Sequence, residues 1–253
     1  RGGLVERTSA AALATFFMTE APIEPRAQVS LGESVARHLR VRRLGTGATI
    51  ALVDGAGRRG TAMIVREAKD SVTVEIGEVE DVPPLPEVHL MVPVADRDRM
   101  LWLAEKSAEL GVTSWRPVLW RRSRSVTPRG EGPMFGAKVR GRMISALEQS
   151  GGAHLPQIYP EASLTRAIAA TPPGGTRLIL DPASPPVFSV ATQSPITLAL
   201  GPEGGLEEAE KAELKNAGFL AVSLGPGILR FETAGAAGVA IARALLHHND
   251  GSA

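Results

Sequence analysis

The stretch L-A-L-G-P-E-G-G-L-E-E-A-E at 198–210 decides the fold. A short apolar run, Ile196–Leu200, enters Gly201-Pro202-Glu203-Gly204-Gly205 and leaves into a helix rich in early acids. A short apolar run of this kind reads as a strand buried on both faces, the mark of a parallel sheet. Three glycines in five residues let the chain turn sharply and approach a ligand closely. Outward from it the pattern repeats. Arg177–Leu180 and Ala221–Leu224 are similar strands, and helices are predicted over 164–170, 207–217 and 233–247. Upstream lie a strand over 88–94, a helix capped by Asp96 and stopped by Gly111, and a strand over 115–119. A basic Pro/Gly loop over 121–133 and a helix over 136–149 follow. This alternation predicts an α/β domain with a mostly parallel sheet covered on both sides.

A second loop, L-G-P-G-I-L-R-F-E-T-A-G-A-A at 224–237, also follows a strand. Arg230 and Glu232 stand between it and a helix whose small residues, 234–238, allow close packing. An ordinary ion pair is one reading of that pair. Two glycine loops at the carboxyl ends of parallel strands are where open α/β sheets bind ligands. The first loop is not a phosphate cradle, since no G-K-[ST] follows and the acids 203, 207, 208 and 210 oppose an anion. The first loop suits a neutral or cationic ligand held by backbone groups, or is simply a tight turn before a well-charged helix.

Residues 15–80 read differently. Strands are predicted over 15–19, 48–53, 61–66 and 71–76, with D-G-A-G at 54–57 as a turn and a helix over 33–41. Short strands with one small helix predict a small β-barrel. D-V-P-P-L-P at 81–86 is the natural linker. The expected domains are 1–80, its first dozen residues a flexible extension, and 87–253. Residues 9–18, after Arg1 and Arg7, faintly resemble a signal peptide but read equally well as a first strand.

Composition narrows the chemistry. The 253 residues hold no cysteine, which excludes disulfides, a Cys-based zinc site, an iron–sulfur cluster and a thiol nucleophile. The five histidines show no metal spacing, so no metal is expected, and there is no G-x-S-x-G. No apolar run reaches the ~18 residues of a membrane span, so no membrane partner is expected. The formal net charge is only +1, yet residues 37–59 carry six Arg against Asp54, and 97–142 are strongly basic. Two basic stretches in a nearly neutral chain suggest either a polyanion surface or merely solvated faces.

Together the two loops resemble those of the SPOUT methyltransferases, specifically the RsmE family, which methylates N3 of a uridine in 16S ribosomal RNA. Further similarity lies in H-L-R-V-R-R-L at 38–44 with V-D-G at 53–55, E-K-S-A-E-L-G-V at 105–112, R-P-V at 116–118, A-L-E-Q-S-G at 146–151 and L-D-P at 180–182. The resemblance implies a PUA-like RNA-binding barrel followed by a SPOUT domain with a deep trefoil knot. It also implies S-adenosylmethionine as cofactor, a homodimer, 16S ribosomal RNA or the small ribosomal subunit as partner, and a cytoplasmic setting. Donor binding then falls to Leu180, Leu200, Gly201, Pro202, Gly204, Gly205, Leu224, Gly225, Ile228, Leu229 and Thr233. Arg37, Arg40, Arg42, Arg43, Arg121, Arg122 and Arg124 would hold RNA. Arg230 would stabilise charge on the uracil oxygens, and Glu232 would accept the N3 proton or orient Arg230. Gly227 stands where many members have Arg, and W-R-R-S at 120–123 replaces a common E-R-[SC]. Two other readings stay open: a SPOUT enzyme acting on another RNA site, and a non-catalytic RNA-binding ribosome-assembly protein on the same fold.

Overall fold

The computed structural model describes residues 13–18, 22–123 and 130–250. The expected N-terminal extension and Arg124 lie outside the described residues. The chain divides into two compact units, 1–84 with 147–154, and 85–146 with 155–253. The change of unit after Pro84 falls inside the Pro-rich linker. Residues 147–154, which the sequence reading leaves in the second domain, belong to the first unit.

The first unit holds strands β1 (Thr15–Phe17), β2 (Gln28–Leu31), β3 (Thr49–Val53), β4 (Arg58–Glu67) and β5 (Val72–Asp81), with helix α1 (Glu33–Val41). The strand order is β1-β3-β4-β5-β2, antiparallel except for β1 against β3. Alternation is clear on β5, where Val72, Val74 and Ile76 are buried. Phe16, Leu31, Ile50, Leu52, Ile64 and Val74, drawn from all five strands, join Ile23 and Leu39 in one core. Both edge strands feed that core, so the sheet curls around it. The 54–57 turn is fixed by Asp54, whose Oδ1 accepts the N–H of Ala56 at 2.7 Å and of Arg58 at 3.0 Å. β2 escapes the sequence reading because it is four residues long and only Leu31 is fully buried.

The second unit carries β6 (Val88–Pro93), α2 (Arg97–Glu109), β7 (Ser114–Leu119), α3 (Pro133–Ser150, its last residues counted in the first unit), β8 (Gln157–Ile158) and β9 (Ala162–Ser163). After them come α4 (Leu164–Ala169), β10 (Thr176–Leu180), β11 (Ile196–Leu200), α5 (Glu208–Asn216), β12 (Phe219–Val222) and α6 (Phe231–Asp250). The sheet order is β12-β10-β11-β6-β7-β8, with β9 also on β7, and every pairing is parallel. β11 is buried along its whole length, Thr197 included, as its largely apolar run predicts.

Both faces of the sheet build cores. Leu90, Val92, Leu198 and Leu200 pack with Met100 and Leu103 of α2 and Val239 of α6, while Met91, Ala199 and Ile179 pack with Leu164 and Leu214 on the other side. Each such side chain contributes about 1.5–3 kcal/mol on burial. Asp96 caps α2, its carboxylate accepting the N–H of Asp98 and Arg99 at 3.1 and 3.0 Å. Gly111 ends the helix at φ +68, a conformation that favours glycine. The Arg243 guanidinium of α6 then donates to the carbonyls of Leu110, Gly111 and Pro86, closing off the end of α2. The small residues of α6 have a direct cause: a Cβ on Gly235 would lie 2.8 Å from Leu200 and 2.9 Å from Leu103, and one on Gly238 would lie 2.7 Å from Leu198. Among the described residues no helix is long and apolar enough to cross a membrane.

Candidate cofactor and substrate site

Register brings the site together. Leu180 pairs with Leu200 across β10 and β11, and with Val222 across β10 and β12. The loops that begin at 181, 201 and 223 therefore leave the sheet at one level and on one side. They enclose a cleft of about 520 Å³. Of the residues expected to bind a cofactor, Leu180, Leu200, Gly201, Pro202, Gly205, Leu224, Gly225, Ile228 and Leu229 line it, together with Arg230. Gly204 and Thr233 do not. A Cβ on Gly204 would meet Arg122 at 3.1 Å, so this glycine serves a close approach within the loop. Thr233 is exposed in the first turn of α6. Gly205 has φ +73, and a Cβ there would meet nothing within 4 Å.

The sequence reading missed several lining residues, among them Asp181, Glu203, Lys211 and Phe231. Asp181 had a signal: it follows Leu180 in L-D-P, directly after a buried strand. Its Oδ1 accepts the Ala183 N–H at 3.0 Å, which folds the third loop back on itself. Lys211 is pushed up from the usual lysine range by its hydrogen bond to Glu208.

The charges are arranged differently from the simple pair suggested by 230–232. Arg230 is exposed on the cleft, and its side chain has no hydrogen-bond or ion-pair partner among the described residues. Glu232 is only 12% exposed and faces Arg99 of α2, with Nε and Oε1 3.9 Å apart. Its other oxygen, Oε2, is buried without a hydrogen bond. Arg99 also bonds Glu203 of the first glycine loop. An orienting contact from Glu232 to Arg230 is thus absent from this arrangement. Arg99 carried no sequence signal beyond membership of a basic stretch.

The acids after the first loop are partly structural. Glu210 is buried and accepts the Glu207 N–H at 2.8 Å, closing the start of α5, and the Arg121 N–H at 2.8 Å. Arg121 and Arg122 lie 3.8 and 3.7 Å from Glu207, and Arg122 reaches the Gly204 carbonyl at 3.4 Å. These two cations therefore rim the first glycine loop. In the first unit, Arg37 pairs with Glu33 on α1 at 2.5 Å, and Arg40 reaches back to the Ala36 carbonyl at 3.3 Å. Arg42 and Arg43 are exposed just beyond the helix, Arg43 at φ +56.

The cleft fits S-adenosylmethionine on its own terms. Leu180, Leu200, Leu206, Leu224 and Ile228 offer apolar walls for a flat base, Gly205 leaves open space above its backbone, and Asp181 suits a cationic ligand. The volume is that of a site for a drug-sized molecule.

Comparison with known proteins gives the same picture. Residues 83–243 match the family described as RNA methyltransferase domain, and residues 31–77 the RNA methyltransferase PUA domain. The chain is 26% identical over 254 residues to ribosomal RNA small subunit methyltransferase E of Mycobacterium bovis, covering 94% of each. The corresponding Bacillus subtilis protein is 26% identical, with 86% of this chain and 90% of that one covered. Among solved structures, ribosomal RNA small subunit methyltransferase E from Neisseria gonorrhoeae bound to S-adenosyl methionine superposes with TM-score 0.83 at 31% identity, over 92% of this chain and 98% of that one. A putative methyltransferase from Legionella pneumophila, in complex with the same cofactor, gives 0.81 at 28%, over 92% and 97%. With both domains matched in order and the cleft at the ends of β10, β11 and β12, the chain belongs to the RNA methyltransferase family that includes ribosomal RNA small subunit methyltransferase E.

Proposed function

We propose that this protein is an S-adenosylmethionine-dependent methyltransferase acting on N3 of a uridine in 16S ribosomal RNA. One observation carries the reading: three loops leave register-matched strand ends and enclose a single cleft with an unpaired arginine on it. S-adenosylmethionine, when bound, supplies an electrophilic methyl group. The chain's own residues position and polarise. Backbone groups of 201–205 and 224–229 hold the donor, and Asp181 favours its positive charge, Glu203 being engaged by Arg99. Arg230 is free to face the uracil oxygens, which gain negative charge as N3 gives up its proton to solvent water. Glu232, held by Arg99, fixes the first turn of α6 beside Arg230. The base must leave any stack to reach the cleft.

The PUA-like unit and its arginines 37, 40, 42 and 43 hold the RNA backbone in this reading, and Arg121 and Arg122 meet RNA beside the donor loop. The deep trefoil knot is what membership of the family implies for the course of the C-terminal half. The chain there runs from β11 through α5 to the edge strand β12, then returns to pack α6 over β11 and β6. A homodimer is supported by the exposed apolar side chains Trp102, Ile228 and Leu229 on the second unit. In this reading the enzyme works where its ribosomal substrate is made, in the cytoplasm.

The decisive experiment offers the protein and S-adenosylmethionine to small subunits, and separately to their RNA, from cells lacking the enzyme. The product nucleoside is identified by mass. N3-methyluridine at one position is expected. Methyl incorporation into another base, or none, overturns the reading.

A further inference from the structure

Arg99 occupies the first turn of α2, where a cation opposes the helix dipole and Asp96 already caps the amides of Asp98 and Arg99. Helix electrostatics therefore do not explain it. Its contacts do. The guanidinium bonds Glu203, which lines the cleft in the loop after β11, and faces Glu232, which opens α6 just after the loop behind β12. Two carboxylates from two separate cofactor loops meet one fork. Without that fork Glu232 would be a nearly buried carboxylate with neither oxygen compensated. The helix that carries Arg99 is itself anchored: Leu103, one turn on, packs where Gly235 of α6 leaves no room for a side chain.

We propose that Arg99 is a positioning residue that holds the Glu203 loop and the start of α6 at the separation the methyl donor requires. It touches neither the donor nor the base and acts through the two carboxylates. This rests on the cleft being the S-adenosylmethionine site. A lysine would keep the charge but lose the fork, so it would hold one carboxylate and release the other.

The test compares Arg99→Ala, Arg99→Lys and Glu203→Gln with the unaltered protein. It measures donor affinity by calorimetry, KM for donor and for RNA separately, kcat, and the thermal midpoint without donor. Expected are a donor Kd raised at least tenfold in Arg99→Ala and severalfold in Arg99→Lys. KM for the donor should rise with it while KM for RNA stays constant. Glu203 is half exposed, so Glu203→Gln leaves the fold intact and tests the same link. It should weaken donor binding, and adding it to Arg99→Ala should cost less than the two effects multiplied. If Arg99→Ala fails to fold, Arg99→Lys takes its place, alone and combined with Glu203→Gln. An unchanged donor Kd in a folded Arg99→Ala or in Glu203→Gln overturns the proposal while leaving the methyltransferase reading in place. Failure of the unaltered protein to bind the donor overturns that reading, and the positioning role with it.

Discussion

Glu232 gives its carboxylate to Arg99 across 3.9 Å, on a helix far away in sequence, and so leaves Arg230, its near neighbour, unpaired on the cleft. An arginine kept free in such a place is available to a substrate. Removing it should not disturb the ion pair behind it.

We therefore expect Arg230→Ala to keep the fold, the oligomeric state and the affinity for S-adenosylmethionine, and to slow single-turnover methylation by about a hundredfold, the scale of one lost transition-state donor. Sedimentation, donor titration and rapid-quench kinetics on one preparation check this. Loss of donor binding together with dissociation would make Arg230 structural instead.

Adjacent glycines of the first loop should separate in their effects. Gly205→Ala places a side chain at φ +73, which costs about 1 kcal/mol, and projects it into open space at the cleft. Donor affinity should fall more than the thermal midpoint. Gly204→Ala pushes on Arg122 at 3.1 Å instead and should disturb the loop and the RNA rim. Its donor affinity should drop less than that of Gly205→Ala. Calorimetry on the pair reads the difference.

The two glycines of α6 should behave as packing residues. Gly235→Ala and Gly238→Ala force a methyl group to within 3 Å of Leu200, Leu103 or Leu198. Such overpacking costs about 1–3 kcal/mol, less the gain in helix propensity. A lowered midpoint in thermal unfolding is expected for both, and an unchanged or raised midpoint would contradict the close packing.

Arg42 and Arg43 are exposed and should act through phosphate charge alone. Replacing either with Gln should weaken RNA binding and reduce the slope of log K against log salt by about 0.7–0.9 per contact. A slope that does not move marks them as a solvated face.

Glu148 gives a pH dependence. Burial pushes its carboxyl up, offset in part by the Phe17 N–H that donates to it at 2.9 Å. With its folded pKa raised, the stability linked to this group is fully present below the ordinary glutamate value of about 4.3 and is lost as pH rises through the folded value. Glu148→Gln keeps an acceptor for Phe17 and has no charge to desolvate. It should raise the thermal midpoint at pH 7 by roughly 1–3 °C, and the gain should vanish near pH 4. An equal shift at both pH values would rule out ionisation as its cause.

The sequence by itself determined the class of both units and the place of the site. Short, mostly apolar runs at 177–180 and 196–200 declare buried parallel strands, because a strand covered on both faces has little room for polar side chains; Arg177 and Thr197 are the exceptions. Alternation at 72, 74 and 76 declares a half-covered one. Glycine loops after such strands declare a ligand end. The small residues of α6 announced close packing before any partner was visible. Periodicity is local, and burial follows from it directly.

The tertiary structure decided what depends on strand order and register. That Asp181 joins the glycine loops follows from Leu180 lying level with Leu200 and Val222. That Gly205 faces the cleft while Gly204 faces Arg122 is a matter of one backbone rotation, invisible in a run of similar residues. That Arg99 reaches both Glu203, 104 residues away in the loop after β11, and Glu232 at the start of α6 requires α2 and α6 to share one face of the sheet. Composition gave Arg99 a charge, and only the packing of helices on strands gave that charge its two partners.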